Sequence, residues 1–276
     1  MTVFSLLSSD LKPTAGFSKQ TSSRQKTDAF YLAEALTHWF AQQHLNATVV
    51  APVEQNLVSM VRSGSGSAYP KEMPKYFRHS LKPGTKTEPD FLAFAENGVH
   101  VLESKGRSNL PHGTVHQKEM NKARNKALRQ VCAVATYNGA LPLTRTACVF
   151  AFDSDGIRGQ ITDPPEIERN DLEGNTGSIL QSAYAVALDP LFSRSLSPIY
   201  RDYIGVEFAL GWKFGIHKGV YERLAQLPND DDPTSFLEFV RGVASDETDG
   251  VRDDGNISFG PDGFVLIGGA RPSFAK

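Results

Sequence analysis

Apolar residues recur along this chain in two periods, and each change of period marks the edge of an element. From Asp28 to Gln43 they fall at helical spacing, with Thr27 or Asp28 as the cap, so a helix is expected there. Residues 46–53 predict a short strand. Two apolar runs, residues 91–95 and 99–102, flank Asn97-Gly98, the strongest short-range hairpin signal because both turn residues tolerate positive φ. Residues 115–138 predict a long helix with Met120, Ala127, Val131 and Val134 on one side, and Arg145 to Phe152 predicts a buried strand. Helix, hairpin, helix and strand together imply an α/β core with a mixed sheet.

The hairpin carries the chemistry. A two-residue Asn97-Gly98 loop makes Glu96 face Val99, and counting outward sets Leu92 opposite Glu103 and Asp90 opposite Lys105. Residues two apart on a strand share a face, so Asp90, Glu103 and Lys105 point the same way, with the carboxylates on the diagonal of one cross-strand cell. Leu92, Phe94, Val99 and Val101 continue that face, while Phe91, Ala93, Ala95 and Leu102 fill the other, so both are expected to be covered. Two carboxylates in apolar surroundings repel unless a cation lies between them. A hard divalent ion takes one or two carboxylates plus water and substrate phosphate, and a neighbouring lysine orients water or neutralises developing phosphate charge. The chemistry suggested is metal-assisted phosphodiester hydrolysis.

At these positions the chain resembles the PD-(D/E)XK nuclease superfamily, the restriction-endonuclease-like fold. Pro89-Asp90 matches the "PD" and Glu103-Ser104-Lys105 the "E-x-K", with the hairpin between. The resemblance covers roughly residues 28–152 and implies a three-layer α/β/α core with a mixed central sheet. It also implies Mg²⁺ or Mn²⁺ bound by Asp90 and Glu103, and Lys105 assisting the attacking water. A first-helix acid approaches the metal in many members, which makes Glu34 a candidate third ligand; an exposed Glu on the polar edge of its helix is the alternative. The family's roles lean toward restriction or phage defence. Gln130 and Tyr137, two turns apart on the predicted helix, match no subfamily spacing.

Charge sharpens this picture. The net charge of −2 hides an excess of twelve Lys or Arg over six Asp or Glu between Lys71 and Arg129, and of nine acids over two arginines between Asp230 and Asp254. A basic surface beside an acid cluster suits a polyanion, DNA before RNA, since phosphate contacts supply most non-specific affinity. Lys118, Lys122, Asn125 and Arg129 form a stripe along the second helix, and Arg107, Lys82 and Lys86 are the further candidates for backbone contact. Residues 63–87 interleave basic and aromatic residues as a single-strand-binding or groove-wall loop would, with a merely solvated loop as the alternative. His112 and His116 stand four apart without an evident third ligand, which argues against a transition-metal site.

The rest of the chain sets bounds. At 276 residues, 40% hydrophobic and 22% charged, the composition is that of an ordinary globular protein. Cys132 and Cys148 sit in apolar contexts without metal spacing. With no secretory signal or transmembrane span, a cytoplasmic location is expected. Residues 1–26 read as a flexible lead-in, 27–158 as the nuclease core, and 159–276 as an α+β extension for specificity or oligomerisation. In that extension residues 179–192, 220–225 and 236–243 predict helices, Tyr203 to Phe214 fits strand or helix equally, and Ser258 to Ile267 predicts a hairpin. A second copy of the chain or a defence-complex subunit are the protein partners left open. The rival readings are a non-catalytic nucleic-acid-binding module and a protein-interaction subunit that keep the same fold.

Overall fold

The computed structural model describes residues 6–7, 12–53, 57–62, 88–108, 114–153, 156–164, 170–209, 211–227, 233–250 and 256–268. The chain is a mixed α/β protein whose contacts divide it into two units. One holds Met1–Leu45, Val53–Ala93 and Asn97–Gly174; the other holds Asn46–Pro52, Phe94–Glu96 and Asn175–Lys276. In chain order the elements up to the end of the first unit are α1 (Ala15–Ser18), α2 (Ser22–His44), β1 (Val49–Pro52), β2 (Val58–Arg62), β3 (Phe91–Ala95), β4 (Gly98–Ser108), α3 (Thr114–Val131), β5 (Val134–Tyr137), β6 (Arg145–Asp153), β7 (Gly156–Thr162) and β8 (Asn170–Gly174).

The first unit is built on β3, β4, β6 and β7 in that order, with β4 and β6 parallel and β6 and β7 antiparallel. Every residue of β6 is buried, which matches its unbroken apolar run. Residues 159–174, set apart in the sequence reading, belong here because β7 pairs with β6 and β8 pairs with both β2 and β5. Their polar composition hides them: β7 alternates exposed and half-buried positions.

Helix α2 starts at Ser22, earlier than expected and inside the presumed lead-in. Thr21 caps it by accepting from the Arg24 N–H, and Gln25 Nε2 ties the added turn down by donating to the carbonyls of Phe17 and Ser18 at 3.1 and 3.0 Å. Asp28 is therefore no cap; it lies buried mid-helix, 3.1 Å from Arg24. Ala29, Leu32 and Ala33 on α2 pack with Cys148, Phe150 and Phe152 of β6 and with Phe17. Burial pushes the Cys132 and Cys148 thiols up to about 12, so both are inert packing groups.

Helix α3 also ends sooner than its periodicity suggests. The chain leaves it at Val131 and runs into β5, where the buried guanidinium of Arg145 donates to the carbonyls of Val134 and Ala135 at 2.6 and 2.5 Å. Tyr137 is thus on a strand, not on the helix with Gln130.

The second unit continues with α4 (Thr176–Ala183), α5 (Ala185–Leu188), α6 (Pro190–Ser193), β9 (Ser197–Tyr200), β10 (Tyr203–Ala209), β11 (Trp212–His217), α7 (Lys218–Leu224), α8 (Pro233–Gly250), β12 (Ile257–Phe259) and β13 (Phe264–Ile267). Its antiparallel sheet runs β12-β13-β11-β10-β9, so the ambiguous Tyr203 to Phe214 stretch resolves into two paired strands. Buried Tyr184 anchors the core, donating to the Asp262 carbonyl at 2.9 Å and stacking on Phe264. Among the described residues no helix is long and apolar enough to cross a membrane.

Candidate active site

The acid hairpin closes one residue earlier than its Asn-Gly pair suggests. Strand β3 ends at Ala95 and β4 begins at Gly98, so Glu96 and Asn97 form the turn. Asn97 does not take positive φ; only Gly98 does, at 145°. Counting outward from Ala95 and Gly98 brings Asp90 level with Glu103 instead of Lys105. The slip is two residues along β4, an even number, so every side chain keeps its face. That is why the expected triad still meets.

Its geometry is tight. The backbone N–H of Asp90 donates to Glu103 Oε2 at 3.0 Å, and the N–H of Ser104 donates to Asp90 Oδ2 at 2.9 Å. Lys105 Nζ donates to Glu103 Oε1, lies 3.4 Å from Asp90 Oδ2 and donates to the Ser104 carbonyl at 3.0 Å. Glu103 is wholly buried, and the single ammonium between the two carboxylates supplies the charge its burial demands. Burial drives the Lys105 ammonium below the ordinary lysine range; Asp90 opposes this, while Lys126 and Arg107 reinforce it.

Ser104, between Glu103 and Lys105, points to the other face and ties β4 to α2. Its Oγ stands 3.0 Å from Thr37 Oγ1 on α2. Two residues on, Gly106 lets α2 approach: a Cβ there would sit 2.0 Å from the Ala29 carbonyl oxygen. This contact brings Glu34 into the site's field. Its carboxyl is pushed up to about 7, first by burial and then by the Asp90 charge, with Lys105 pulling the other way. Glu34 is thus half-buried on α2 and feels the charges of Asp90 and Lys105. Between α3 and the site, Gln130 Nε2 donates to the Glu88 carbonyl at 3.1 Å, holding the approach to Asp90.

Beside this cluster lies a cavity of about 880 Å³ lined by Arg107 and by Gln117, Lys118, Asn121, Lys122, Asn125, Lys126 and Arg129 of α3. Four of the expected backbone-contact residues, Arg107, Lys118, Lys122 and Arg129, thus share one groove. Lys126 and the amides of Gln117 and Asn121 were missed, although the spacing holds the signal: 118, 122, 126 and 117, 121, 125, 129 are two adjacent rows at four-residue intervals. The opposite side, Met120, Ala123, Ala127, Leu128 and Val131, is buried. Lys82, Lys86, the rest of the 63–87 loop and His112 lie outside the described residues, as does the side chain of His116.

No three His, Cys, Asp or Glu side chains among the described residues stand together as a ready metal cage. The donors fit a hard divalent ion nonetheless: Asp90 and Glu103 offer oxygen only, and the Lys105 ammonium already marks the place between them that a cation favours. No family model, curated protein or solved structure matches the chain.

Proposed function

We propose that the chain is a metal-dependent nuclease, a phosphodiesterase acting on nucleic acid and most readily on DNA, with a restriction-endonuclease-like core. The observation that carries this reading is the coupling of Asp90 and Glu103, on one half-buried lysine, to a groove lined by five cations and three amides with no acid among them. Clustered acids beside a cationic groove are counterproductive for phosphate binding alone, since they repel the ligand that the groove attracts.

In this mechanism Asp90 and Glu103 would hold Mg²⁺ or Mn²⁺, which supplies Lewis acidity and charge neutralisation at the phosphate. The Asp90 N–H keeps the Glu103 carboxylate turned toward the site, and the Ser104 N–H does the same for Asp90. Lys105 orients the attacking water and stabilises charge on the phosphate as the water oxygen bonds to phosphorus and the ester P–O bond breaks. Glu34, whose carboxyl gives up its proton near neutral pH, stands as an acceptor for the water's proton or as a further ligand. Lys118, Lys122, Lys126 and Arg129 hold the backbone on either side of the scissile phosphate.

The test is cleavage of supercoiled, linear and single-stranded DNA and of RNA with Mg²⁺, Mn²⁺ or EDTA, beside Asp90→Ala and Lys105→Ala. Metal-dependent cutting that vanishes in both variants is expected. A second reading, a binding module without turnover, draws on the Lys105 ion pairs, which neutralise part of the cluster with no metal. Salt-sensitive binding with no cutting by the folded wild type would favour it.

A further inference from the structure

Three large aromatic side chains on α2 are exposed, Phe30, Tyr31 and Trp39, and the first two stand side by side. Phe30 is 43% and Tyr31 62% exposed, while the neighbouring Ala29, Leu32 and Ala33 carry the buried face. Their rings meet edge to face, 5.6 Å apart at 68°, so each stiffens the other. They precede Glu34 by four and three residues, which places them one turn away on the same side of the helix. Gly106 fixes where that turn lies: a Cβ on it would come within 2.8 Å of the Phe30 backbone nitrogen. The backbone at Phe30 therefore adjoins β4 directly after Lys105, and the residue that follows Gly106, Arg107, lines the basic groove.

Resting on the nuclease reading, we infer that Phe30 and Tyr31 form a stacking platform for an unpaired nucleobase whose phosphodiester lies on the Asp90–Glu103–Lys105 cluster. The substrate is then nucleic acid with a single-stranded stretch at the scissile bond. The two surfaces divide the work. The groove offers charge and amides and no aromatic ring, so it suits the sugar-phosphate backbone. A paired base hides its faces in the stack, whereas an unpaired one exposes a π-face to any aromatic surface. Cationic groove plus aromatic platform is the combination by which single strands are held without sequence preference.

The experiment uses the full chain in EDTA, with oligonucleotides carrying 2-aminopurine. A single strand, a blunt duplex and a duplex with a single-stranded overhang are titrated against wild type, Phe30→Ala, Tyr31→Ala and Tyr31→Trp. Expected are quenching of 2-aminopurine in the unpaired strand and affinity for the overhang above that for the blunt duplex. Tyr31→Ala should weaken binding to the unpaired strand about 5- to 150-fold, matching stacking of ~1–3 kcal/mol per base. Tyr31→Trp should restore it. Equal affinity for blunt and overhang duplexes, indifferent to both alanine variants, overturns the platform. So does a change in oligomeric state on Tyr31→Ala with single-strand affinity unchanged, which would make the rings a contact between copies.

Cleavage with Mg²⁺, measured in parallel, separates the two proposals. Cutting that ignores Phe30 and Tyr31 leaves the nuclease reading standing and removes the platform. Tyr31-dependent binding without cutting keeps the platform and removes the nuclease. Absence of any nucleic-acid affinity removes both.

Discussion

Asp28 and Glu103 are both buried in the first unit beside a basic residue, and they are handled in opposite ways. Asp28 is 4% exposed and pairs with Arg24, whose side chain is 53% exposed, so one charge meets one charge at the edge of water. Glu103 is fully buried and shares Lys105, itself only 14% exposed, with Asp90, while Glu34 adds a third acid to the same field. The first is a structural ion pair, complete in itself. The second carries more negative charge than its lysine neutralises. A fold has no reason to keep such an excess for its own stability, because a buried charge left short of a partner costs several kcal/mol. Excess of this kind is what the proposed metal site would use, and it separates the Asp90–Glu103–Lys105 cluster from the ordinary pair.

The largest test of that contrast is removal of the lysine. Lys105→Ala leaves Glu103 buried without its cation and should cost about 3–5 kcal/mol at neutral pH, measured by urea denaturation, while lowering cleavage at least ~100-fold. The double variant Glu103→Gln with Lys105→Ala should recover much of the stability and none of the activity, because the buried charge is gone but so is a metal ligand. Arg24→Ala, at the structural pair, should cost about 1 kcal/mol or less and leave cleavage intact. Equal effects at the two sites would erase the distinction.

His38 supplies a third case, a titratable group that burial holds neutral. It lies one turn beyond Glu34 against the Phe91 ring, 4.7 Å between centroids, and its imidazole is lowered to about 4. Between about 4 and 6.5 the unfolded chain binds a proton that the folded chain refuses, so stability rises with pH across that window and is lost as pH falls. His38→Leu should remove about 2 kcal/mol of the acid-side loss, read as a flatter stability curve between pH 4 and 7. An unchanged slope would place the imidazole in water.

How much of this was legible beforehand depends on the range of the interaction that decides each feature. Convergence of Asp90, Glu103 and Lys105 needed only strand parity, which survived a wrong turn assignment because the slip was even. The basic face of α3 needed only helical spacing. The end of α3 was not legible, since Val134 continues the helical row; β5 is strand through its pairing with the distant β8, and the Arg145 guanidinium reaches back from β6 to the carbonyls of residues 134 and 135. Strand β7 was hidden by its polar composition although it pairs with the adjoining β6, and β8 because it pairs with β2, distant in sequence. The place of Glu34 in the site's field depended on the closeness of Gly106 to Ala29, a contact no local pattern displays.

A gentler comparison lies within the groove. Lys126 bears on Lys105, whereas Lys118 sits two turns away on the same row. Each alanine variant should weaken DNA binding uniformly across sequences and reduce the slope of log affinity against log salt by about 1. Only Lys126→Ala should also raise the proton affinity of Lys105, since it removes a repelling charge. The check is a pair of salt titrations with a pH profile of cleavage for each variant.

The smallest expected effect is the most diagnostic of the charge excess. Glu34 is raised from the ordinary carboxyl value to about 7, so between 4.5 and 7 the folded chain holds a proton that the unfolded chain has released. Stability therefore falls as pH rises through that window, and above it the ionised carboxylate carries its full penalty. Glu34→Gln removes the penalty. The side chain is half-buried, and the water beside it screens the effect, so the gain should be about 1 kcal/mol at pH 8 and vanish near pH 4. Added Mg²⁺ should narrow the difference at pH 8, because a cation neutralises in wild type what the amide neutralises in the variant. A gain independent of both pH and Mg²⁺ would mean that Glu34 is strained by packing alone, and would detach it from the acid cluster.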